Sequence, residues 1–537
     1  MFRQSVNSDM LSPVSFLTRS VRVYPNKVAV VYGDRRYSYR EFQERIHQLA
    51  NALLAQGIGP GDKVVFICPN TPPLLEAHYA IPMIGAILVC VNTQLSSQEY
   101  LHIVNHSDAK AVFVDNEYIA QILPVVGDFA KVKLFVNICE NSCSILLRGP
   151  EYETFLVGSV KTPPVVETII DENALISINY TSGTTGKPKG VMYSHRSTYL
   201  HTLGEIVESS LKPDSVYLWT LPMFHCNGWS FPWAVTAVGA THVCLRQCLP
   251  TDIFKFIEKE NVSHLCAAPT TLLRMICSPE AARVRLRRPL EILTAGASPS
   301  PTIIQGMEEL GANVTHVYCL TELHGPHSVC AWQPSWIELD PEKVSRMKAR
   351  QGVAYTTSIH MEVVDPLTMQ PVPADGHTMG EVVMRGNNVM LGYYKDQEAT
   401  ERAFQDGWFH SGDLGVIHPD GYIQLMDRAS DIIARGSDII SSIEIEDIIY
   451  QHPDVLEVAV VAIPDPVWGE VPKAFVVPKY GTNPTGEEII DFCRKNHAEY
   501  KSPKTVEFCQ LPKTATGKTM KAKLRHQEWF GQDRHVR

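Results

Sequence analysis

Hydrophobic residues recur along this chain at two different spacings. In residues 40–56 the spacing is helical: Phe42, Ile46, Leu49 and Leu53 share one face, and Gly57 follows as a stop. Val64–Cys68 is a short apolar run and predicts a buried strand. Tyr79 to Val91, the longest apolar stretch, is too short to cross a bilayer and predicts a buried helix running into a strand. As far as residue 320, apolar runs at Ala111–Val114, Leu175–Asn179, His242–Leu245, His264–Ala267, Glu291–Thr294 and Val314–Cys319 alternate with helical segments near 72–86, 251–260 and 299–310. That alternation predicts an α/β fold with largely parallel sheets. After residue 352 the pattern shortens to strands and turns, Met361–Val364, Glu381–Met384 and Tyr422–Met426, which predicts a small β-rich subdomain. A compact unit follows Arg428: helix 442–451, strands Val455–Ala462 and Ala474–Val477, helix 485–496 and strand Val506–Phe508.

Length and charge narrow the class. A chain of 537 residues exceeds one ordinary core, so at least two domains are expected. With a net charge of −10 and no long basic run, nucleic acid is not expected as a partner. The 13 cysteines show no repeated C-x-x-C pairing, which predicts free buried thiols in a reducing compartment. Cys139 and Cys143 are the closest loop-like pair and have no His or Cys at metal spacing, so zinc is not expected. Met1–Asp9 has no apolar signal core, and the chain ends in His535-Val536-Arg537 instead of a Ser-Lys-Leu-type peroxisomal signal. The expectation is a cytoplasmic enzyme without a membrane span, monomeric or homodimeric.

The densest chemical signal is Tyr180-Thr-Ser-Gly-Thr-Thr-Gly-Lys-Pro-Lys-Gly190, directly after the predicted strand Leu175–Asn179. Thr181, Ser182, Thr184 and Thr185 supply hydroxyls, Gly183 and Gly186 free the backbone N–H groups, and Lys187 and Lys189 bring positive charge. Such a loop suits a polyphosphate. It is not the G-x-x-x-x-G-K-[ST] loop, because Pro188 stands where Ser or Thr is needed.

Other segments carry suitable chemistry further on. Tyr318-Cys-Leu-Thr-Glu322 ends a strand: Thr321 can bond a phosphate oxygen, and Glu322 is a hard oxygen ligand for Mg²⁺. Alone, it is also a helix-capping pair. Ala295-Gly-Ala-Ser-Pro299 is a strand-to-helix turn with Ser298 as its cap. Trp408-Phe-His-Ser-Gly-Asp413 reads as a glycine-bounded turn carrying one carboxylate, and Arg428 follows at the domain junction. Leu221-Pro-Met-Phe-His-Cys-Asn-Gly-Trp229 holds His225 in an apolar setting. Pro512-Lys-Thr-Ala-Thr-Gly-Lys518 also fails as a G-x-x-x-x-G-K-[ST] loop, since Pro512 takes the place of its first glycine.

The order and spacing of these segments, from about Pro25 to Lys523, resemble the adenylate-forming superfamily, and within it the acyl- and aryl-CoA synthetase branch. The resemblance implies a large N-terminal domain (1–427), a hinge (428–431) and a small mobile C-terminal α+β domain (432–537). It implies ATP, Mg²⁺ and coenzyme A: a carboxylic acid is activated to acyl-AMP with release of pyrophosphate, and the acyl group then passes to coenzyme A. Carried over residue by residue, the 181–189 loop holds the departing phosphates, with Thr184 and Glu322 on Mg²⁺. Tyr318 stacks on adenine, and the backbone of Gly296 and Ala297 lines it. Asp413 holds the ribose, Arg428 also contacts the nucleotide, and Thr321 takes a phosphate oxygen. His225 lies by the acid's carboxylate, Trp229 walls the acyl pocket, and Lys518 is the catalytic cation. No aspartate occurs from Leu221 to Gly239, where amino-acid-activating relatives hold the ammonium, so an acid without an α-amino group is expected. Cys226, Trp229, Trp233 and His324 suggest a medium-chain, branched or aryl acid.

The chain departs from the family pattern in three places. Gly436-Ser437-Asp438-Ile439 stands where relatives read Gly-Gly-Glu-Asn, Ser430 replaces the usual hinge Asp or Lys, and Leu323-His324 follows Glu322 where Thr-Tyr is common. The 436–439 segment belongs to the face that presents coenzyme A. Ser437, in a glycine slot, is expected to carry strain if its φ is positive. Two alternatives therefore stay open at this level: transfer of the acyl group to a carrier protein, or a weakly catalytic ligand-binding homologue.

Overall fold

The computed structural model describes residues 9–140, 146–166, 171–181, 188–284, 286–358, 360–436, 438–496, 501–514 and 517–529. A seven-stranded sheet runs in the order Gly392–Tyr393, Gly190–Ser194, Leu175–Tyr180, Ile87–Cys90, Lys63–Ile67, Ala109–Asp115, Leu134–Ile138, parallel from the third strand onward. A nine-stranded sheet runs Val353–Ala354, Gly325–Val329, Ala312–Leu320, Leu290–Thr294, His264–Ala267, Val216–Leu218, Thr241–Cys244, Val28–Tyr32, Arg35–Ser38. Its strands from Ala312–Leu320 to Val28–Tyr32 are parallel. Strands covered on both faces need no polar alternation, so they stand in the sequence as short unbroken apolar runs.

Helices separate and cover the sheets. Tyr39–Ala55 starts in a capping box: the Glu41 N–H donates to Ser38 Oγ, and the Ser38 N–H donates to the Glu41 carboxylate at 2.7 Å. Its Phe42, Ile46, Leu49 and Leu53 are fully buried in a core that also takes Val64 and Phe66 from one sheet and Val30, Tyr217 and Trp219 from the other. Each such side chain contributes about 1.5–3 kcal/mol of burial. Pro72–Met83 is covered on nearly every side, which erases its helical period from the sequence. No helix among the described residues is long and apolar enough to cross a membrane.

A third sheet joins His360–Val364, Gly380–Arg385, Trp408–Ile417, Phe404–Gln405 and Ile423–Arg428. Trp408–Asp413 is therefore half of a ten-residue strand, not a turn. Gly412 sits in it at a φ of 67° with open space around it, so it kinks the strand without ending it. A fourth sheet, with its own core around Ile433, Ile445, Val460 and Val476, joins Asp438–Ile440, Ile433–Arg435, Gly469–Pro478, Val455–Asp465 and Thr505–Phe508.

Two features depart from the sequence expectations. The helix His195–Glu208 buries His195, Thr198, His201, Thr202 and Glu205, so its inward face is polar and no apolar period announces it. Cys139 is disulfide-bonded, where free thiols were expected. It follows the edge strand Leu134–Ile138, outside the core that keeps thiols such as Cys68, Cys244 and Cys266 free and buried.

Candidate active site

Three parallel strands, one in the seven-stranded sheet and two in the nine-stranded sheet, end at candidate residues. Leu175–Tyr180 leads into the 181–189 loop, Leu290–Thr294 into Gly296 and Ala297, and Ala312–Leu320 into the tight turn Thr321–Leu323. Carboxyl ends of parallel strands are where open α/β sheets bind ligands. The neck of the loop is closed by Thr181 N–H to Lys189 O at 3.0 Å and Lys189 N–H to Thr181 Oγ1 at 3.2 Å. Ser182, Gly183, Thr184, Thr185, Gly186 and Lys187 lie outside the described residues. Beyond the neck, Lys189 Nζ stands 4.8 Å from the Tyr393 ring, and Tyr393 OH donates to Glu322 Oε1 at 2.8 Å. Tyr393 thus sets the loop lysine beside the carboxylate.

A strand pair brings the next candidates together. Asp413 and Arg428 face each other across neighbouring strands, with Arg428 Nε 3.3 Å from Asp413 Oδ1. Tyr318 OH donates to Asp413 Oδ2 at 2.6 Å. Gly296 has a φ of 90° and open space where a side chain would stand, and Ala297 is exposed. Ser298 accepts from Gln351 Nε2, and the helix that follows is capped by Ser300 instead.

Lys518 comes from the small domain. Its turn is closed by the Thr514 N–H to Lys518 O bond at 2.8 Å and the Lys518 N–H to Thr514 Oγ1 bond at 3.1 Å. Gly517 has a φ of 83°, and a Cβ there would sit 2.3 Å from Thr270 Oγ1 of the large domain. Burial lowers the Lys518 ammonium to about 8, helped by Arg428 and opposed by Asp413, Cys319 and Asp431. Lys521 holds the same domain in place, donating to Ser442 Oγ at 2.6 Å and pairing with Glu446 at 2.7 Å. Ser442 in turn donates through N–H and Oγ to Asp427 Oδ2. Ser437 lies outside the described residues. Its neighbour Gly436 has a φ of 63°.

The segment around His225 has an unusual backbone. Cys226, Asn227, Gly228, Trp229 and Ser230 all have φ between 42° and 60°. Each non-glycine residue in such a left-handed turn costs about 1–2 kcal/mol. Side-chain bonds hold it. Asn227 N–H donates to Asn179 Oδ1 at 3.0 Å, and Ser177 Oγ donates to Asn227 Oδ1 at 2.7 Å. Asn179 Nδ2 donates to Asn227 Oδ1 as well. The strand that leads into the 181–189 loop therefore also fixes the turn that carries His225 and Trp229. Burial, with Lys518 nearby, lowers His225 to about 4, so its imidazole is neutral. Cys226 Sγ lies 3.7 Å from Thr321 Oγ1, and Tyr193 OH donates to Thr321 O at 2.5 Å.

Sequence reasoning missed Tyr393, Asn179, Asn227, Tyr193 and Thr270. Only Asn227-Gly228, two residues that tolerate left-handed backbone, carried a local signal. The donor set suits a nucleoside triphosphate: cations at Lys189, Arg428 and Lys518, a carboxylate at Asp413, and open backbone at Gly296. No three His, Cys, Asp or Glu side chains gather among the described residues. A single carboxylate such as Glu322 fits Mg²⁺, which takes most of its oxygens from phosphate and water.

The AMP-binding enzyme model matches residues 17–394, and the AMP-binding enzyme C-terminal domain model matches residues 444–518. An acetate–CoA ligase of Humulus lupulus is 44% identical, with 97% of this chain and 95% of that protein covered. The 4-hydroxybutyrate–CoA ligase 2 of Metallosphaera sedula is 43% identical, with 96% of this chain and 94% of that protein covered. A solved anthranilate CoA ligase in complex with anthranoyl-AMP shares the fold, with a TM-score of 0.87 at 24% identity over 98% of this chain and 99% of that one.

Proposed function

This chain belongs to the AMP-binding enzyme family, and from that premise we propose that it ligates a small carboxylic acid, of the acetate-to-butyrate size class, to coenzyme A. It is an AMP-forming acid–CoA ligase using ATP, Mg²⁺ and coenzyme A. The carboxylate attacks the α-phosphorus of ATP and pyrophosphate leaves. The coenzyme A sulfur then attacks the acyl carbon and AMP leaves.

Joining two anions requires charge neutralisation and alignment. Lys518 is the cation at the reacting phosphate, and Thr321 donates to a phosphate oxygen. Lys189 and the loop it closes hold the phosphates that depart. Asp413 accepts the ribose hydroxyls while Tyr318 and Arg428 fix its two oxygens. Neutral His225 stands by the acid's carboxylate. Bound on Glu322, Mg²⁺ would neutralise phosphate charge. The observation that carries this reading is the placement of Lys518: it is half-buried on a small-domain turn whose Gly517 packs against Thr270 of the large domain, within electrostatic reach of Asp413, Arg428 and His225. The small-acid assignment is supported by the buried Trp229, whose Cδ1 is 3.2 Å from the point where a Gly325 Cβ would stand, and by the acids in the names of the two relatives.

The test is pyrophosphate release across acids from acetate to octanoate plus benzoate, followed by thioester formation with coenzyme A or a phosphopantetheinyl carrier protein. Acid-dependent release, highest with small acids, and thioester formation on coenzyme A are expected. Octanoate exceeding every smaller acid would refute the size class, and release without any coenzyme A thioester would refute the acceptor.

A further inference from the structure

Beside the neck of the 181–189 loop lies a pair of histidines that the reaction above leaves unused. The helix Ser97–His106 starts in a capping box of Ser96 and Glu99 and ends next to the loop. His102 and His106 stand four residues apart, so they share one face of it. Their rings stack, with centroids 5.4 Å apart and 27° between planes. Both are half-buried.

Each ring holds one end of the loop. At its entry, His106 Nδ1 and Tyr180 OH share a hydrogen bond of 2.8 Å. At its exit, His102 Nε2 is 3.3 Å from Pro188 O. A carbonyl only accepts, so His102 carries its proton on Nε2 and donates. Pro188 has no N–H, and its carbonyl is the backbone group it can offer. The bonds between Thr181 and Lys189 tie the two ends of the loop to each other, and the two histidines tie them to the helix. Tyr180 pairs with Gly190 across the hairpin, where a Cβ on Gly190 would stand 3.2 Å from Tyr180 Cζ. Glycine there leaves room for the Tyr180 ring.

The pair is itself braced by the segment that follows Tyr393. Tyr394 stands edge-on to His106, with 5.8 Å between centroids and 85° between planes, and its N–H donates to Gly190 O at 2.7 Å. Lys395 Nζ donates to His106 O at 2.9 Å and pairs with Asp108 at 2.8 Å. Burial, with His102 and Lys395 alongside, lowers the His106 imidazole, opposed by Asp108 and Asp396, and burial raises the Tyr180 phenol. Both partners of that bond are therefore neutral. A phenylalanine at either position would keep the ring stack and release one end of the loop.

We propose that His102 and His106 are positioning residues for the phosphates that leave: by fixing both ends of the 181–189 loop, they set where its groups meet ATP and pyrophosphate. AMP keeps none of those phosphates, so the pair acts on adenylation and its reversal and is silent in thioester formation. This rests on the acid–CoA ligase reading above, in which the loop holds the departing phosphates.

The experiment measures KM for ATP in pyrophosphate release and KM for pyrophosphate in ATP formation from acyl-AMP, with the fastest acid of the acetate-to-octanoate series. His102→Phe and His106→Phe each remove one neutral hydrogen bond and are expected to raise both KM values about two- to tenfold. The double variant should exceed either alone. His102→Gln and His106→Asn, whose amides reach the places of Nε2 and Nδ1, should recover part of each loss. AMP affinity by calorimetry, and thioester formation from supplied acyl-AMP, should stay within about twofold of wild type in every variant, which also shows that each is folded. Both KM values of the double variant within about twofold of wild type overturn the proposal. So does a loss of AMP affinity and of thioester formation as large as the rise in KM, the result of a merely structural role. A wild type that releases no acid-dependent pyrophosphate overturns the ligase reading itself, and the proposal falls with it.

Discussion

Replacing Gly517 by Ala tests whether the small domain delivers Lys518 for one half of the reaction only. The backbone at Gly517 has a φ of 83°, and the added Cβ would stand 2.3 Å from Thr270 Oγ1, 3.5 Å from Thr270 Cβ and 3.8 Å from Ala268 Cβ. The left-handed backbone costs an alanine about 1–2 kcal/mol. Only the Thr270 hydroxyl is too close, and turning it off its rotamer costs a further 0.5–1.5 kcal/mol or so. The sum, roughly 1.5–3.5 kcal/mol against the closed arrangement, predicts a loss of adenylation of about 10- to 300-fold at about tenfold per 1.4 kcal/mol. The resemblance to acyl-CoA synthetases implies that the small domain has turned away when the thioester forms. Thioester formation from supplied acyl-AMP should therefore change by less than about threefold. Thr270→Ala removes the close contact but not the backbone cost, so the double variant should recover about two- to twelvefold of the lost adenylation. Single-turnover assays of the two halves give the answer. Equal losses in both halves, or adenylation within twofold of wild type, would refute the reasoning.

Three further outcomes are expected. Because burial lowers Lys518 to about 8, the charge it contributes is present below that pH and lost above it, so kcat/KM for adenylation should fall as pH rises through 8. Lys518→Arg should be slower but lack that limb, and a wild-type profile flat to pH 9.5 would contradict the assignment. Burial also holds His78, His195, His201, His264, His316 and His327 down to about 4 and His242 to about 3. Their folded values lie below the unfolded one, so protons bind the unfolded chain first and stability is lost as pH falls from about 6.5 towards 4. At roughly 2 kcal/mol each by pH 5, these losses rival a whole domain's stability. A steep drop in Tm between pH 7 and 5 is the expected observation, and a constant Tm refutes it. Asp413→Asn removes the charge that accepts from Tyr318 and pairs with Arg428. Charged hydrogen bonds of about 1.5–3 kcal/mol predict a 10- to 100-fold rise in the KM for ATP, read from initial rates, and an unchanged KM would remove Asp413 from the nucleotide site.

What was legible in the sequence follows from what burial does to a chain. The helix Tyr39–Ala55 was legible because one face meets the core and the other meets water. The parallel strands were legible because covered strands are apolar without interruption. Trp408–Asp413 was misread because Gly412 and Ser411 imitate a turn, while the strand's hydrogen bonds come from partners at 380–385 and 423–428. His195–Glu208 was missed because its buried face is polar and is satisfied by atoms far along the chain, such as Ser12 for His195 and Ser230 for His201.

The Tyr180–Gly190 loop and Glu322 were proposed from the sequence because each motif carries its own glycines, hydroxyls or charges, and Asp413, Arg428 and Lys518 were proposed through the resemblance that the order of the motifs carries. The partners that position them were not. Tyr393 under Lys189, Asn179 against Asn227 and Thr270 against Gly517 are separated by tens to hundreds of residues. Local spacing holds no record of such pairs, and only the packing of the sheets and the docking of the small domain bring them together.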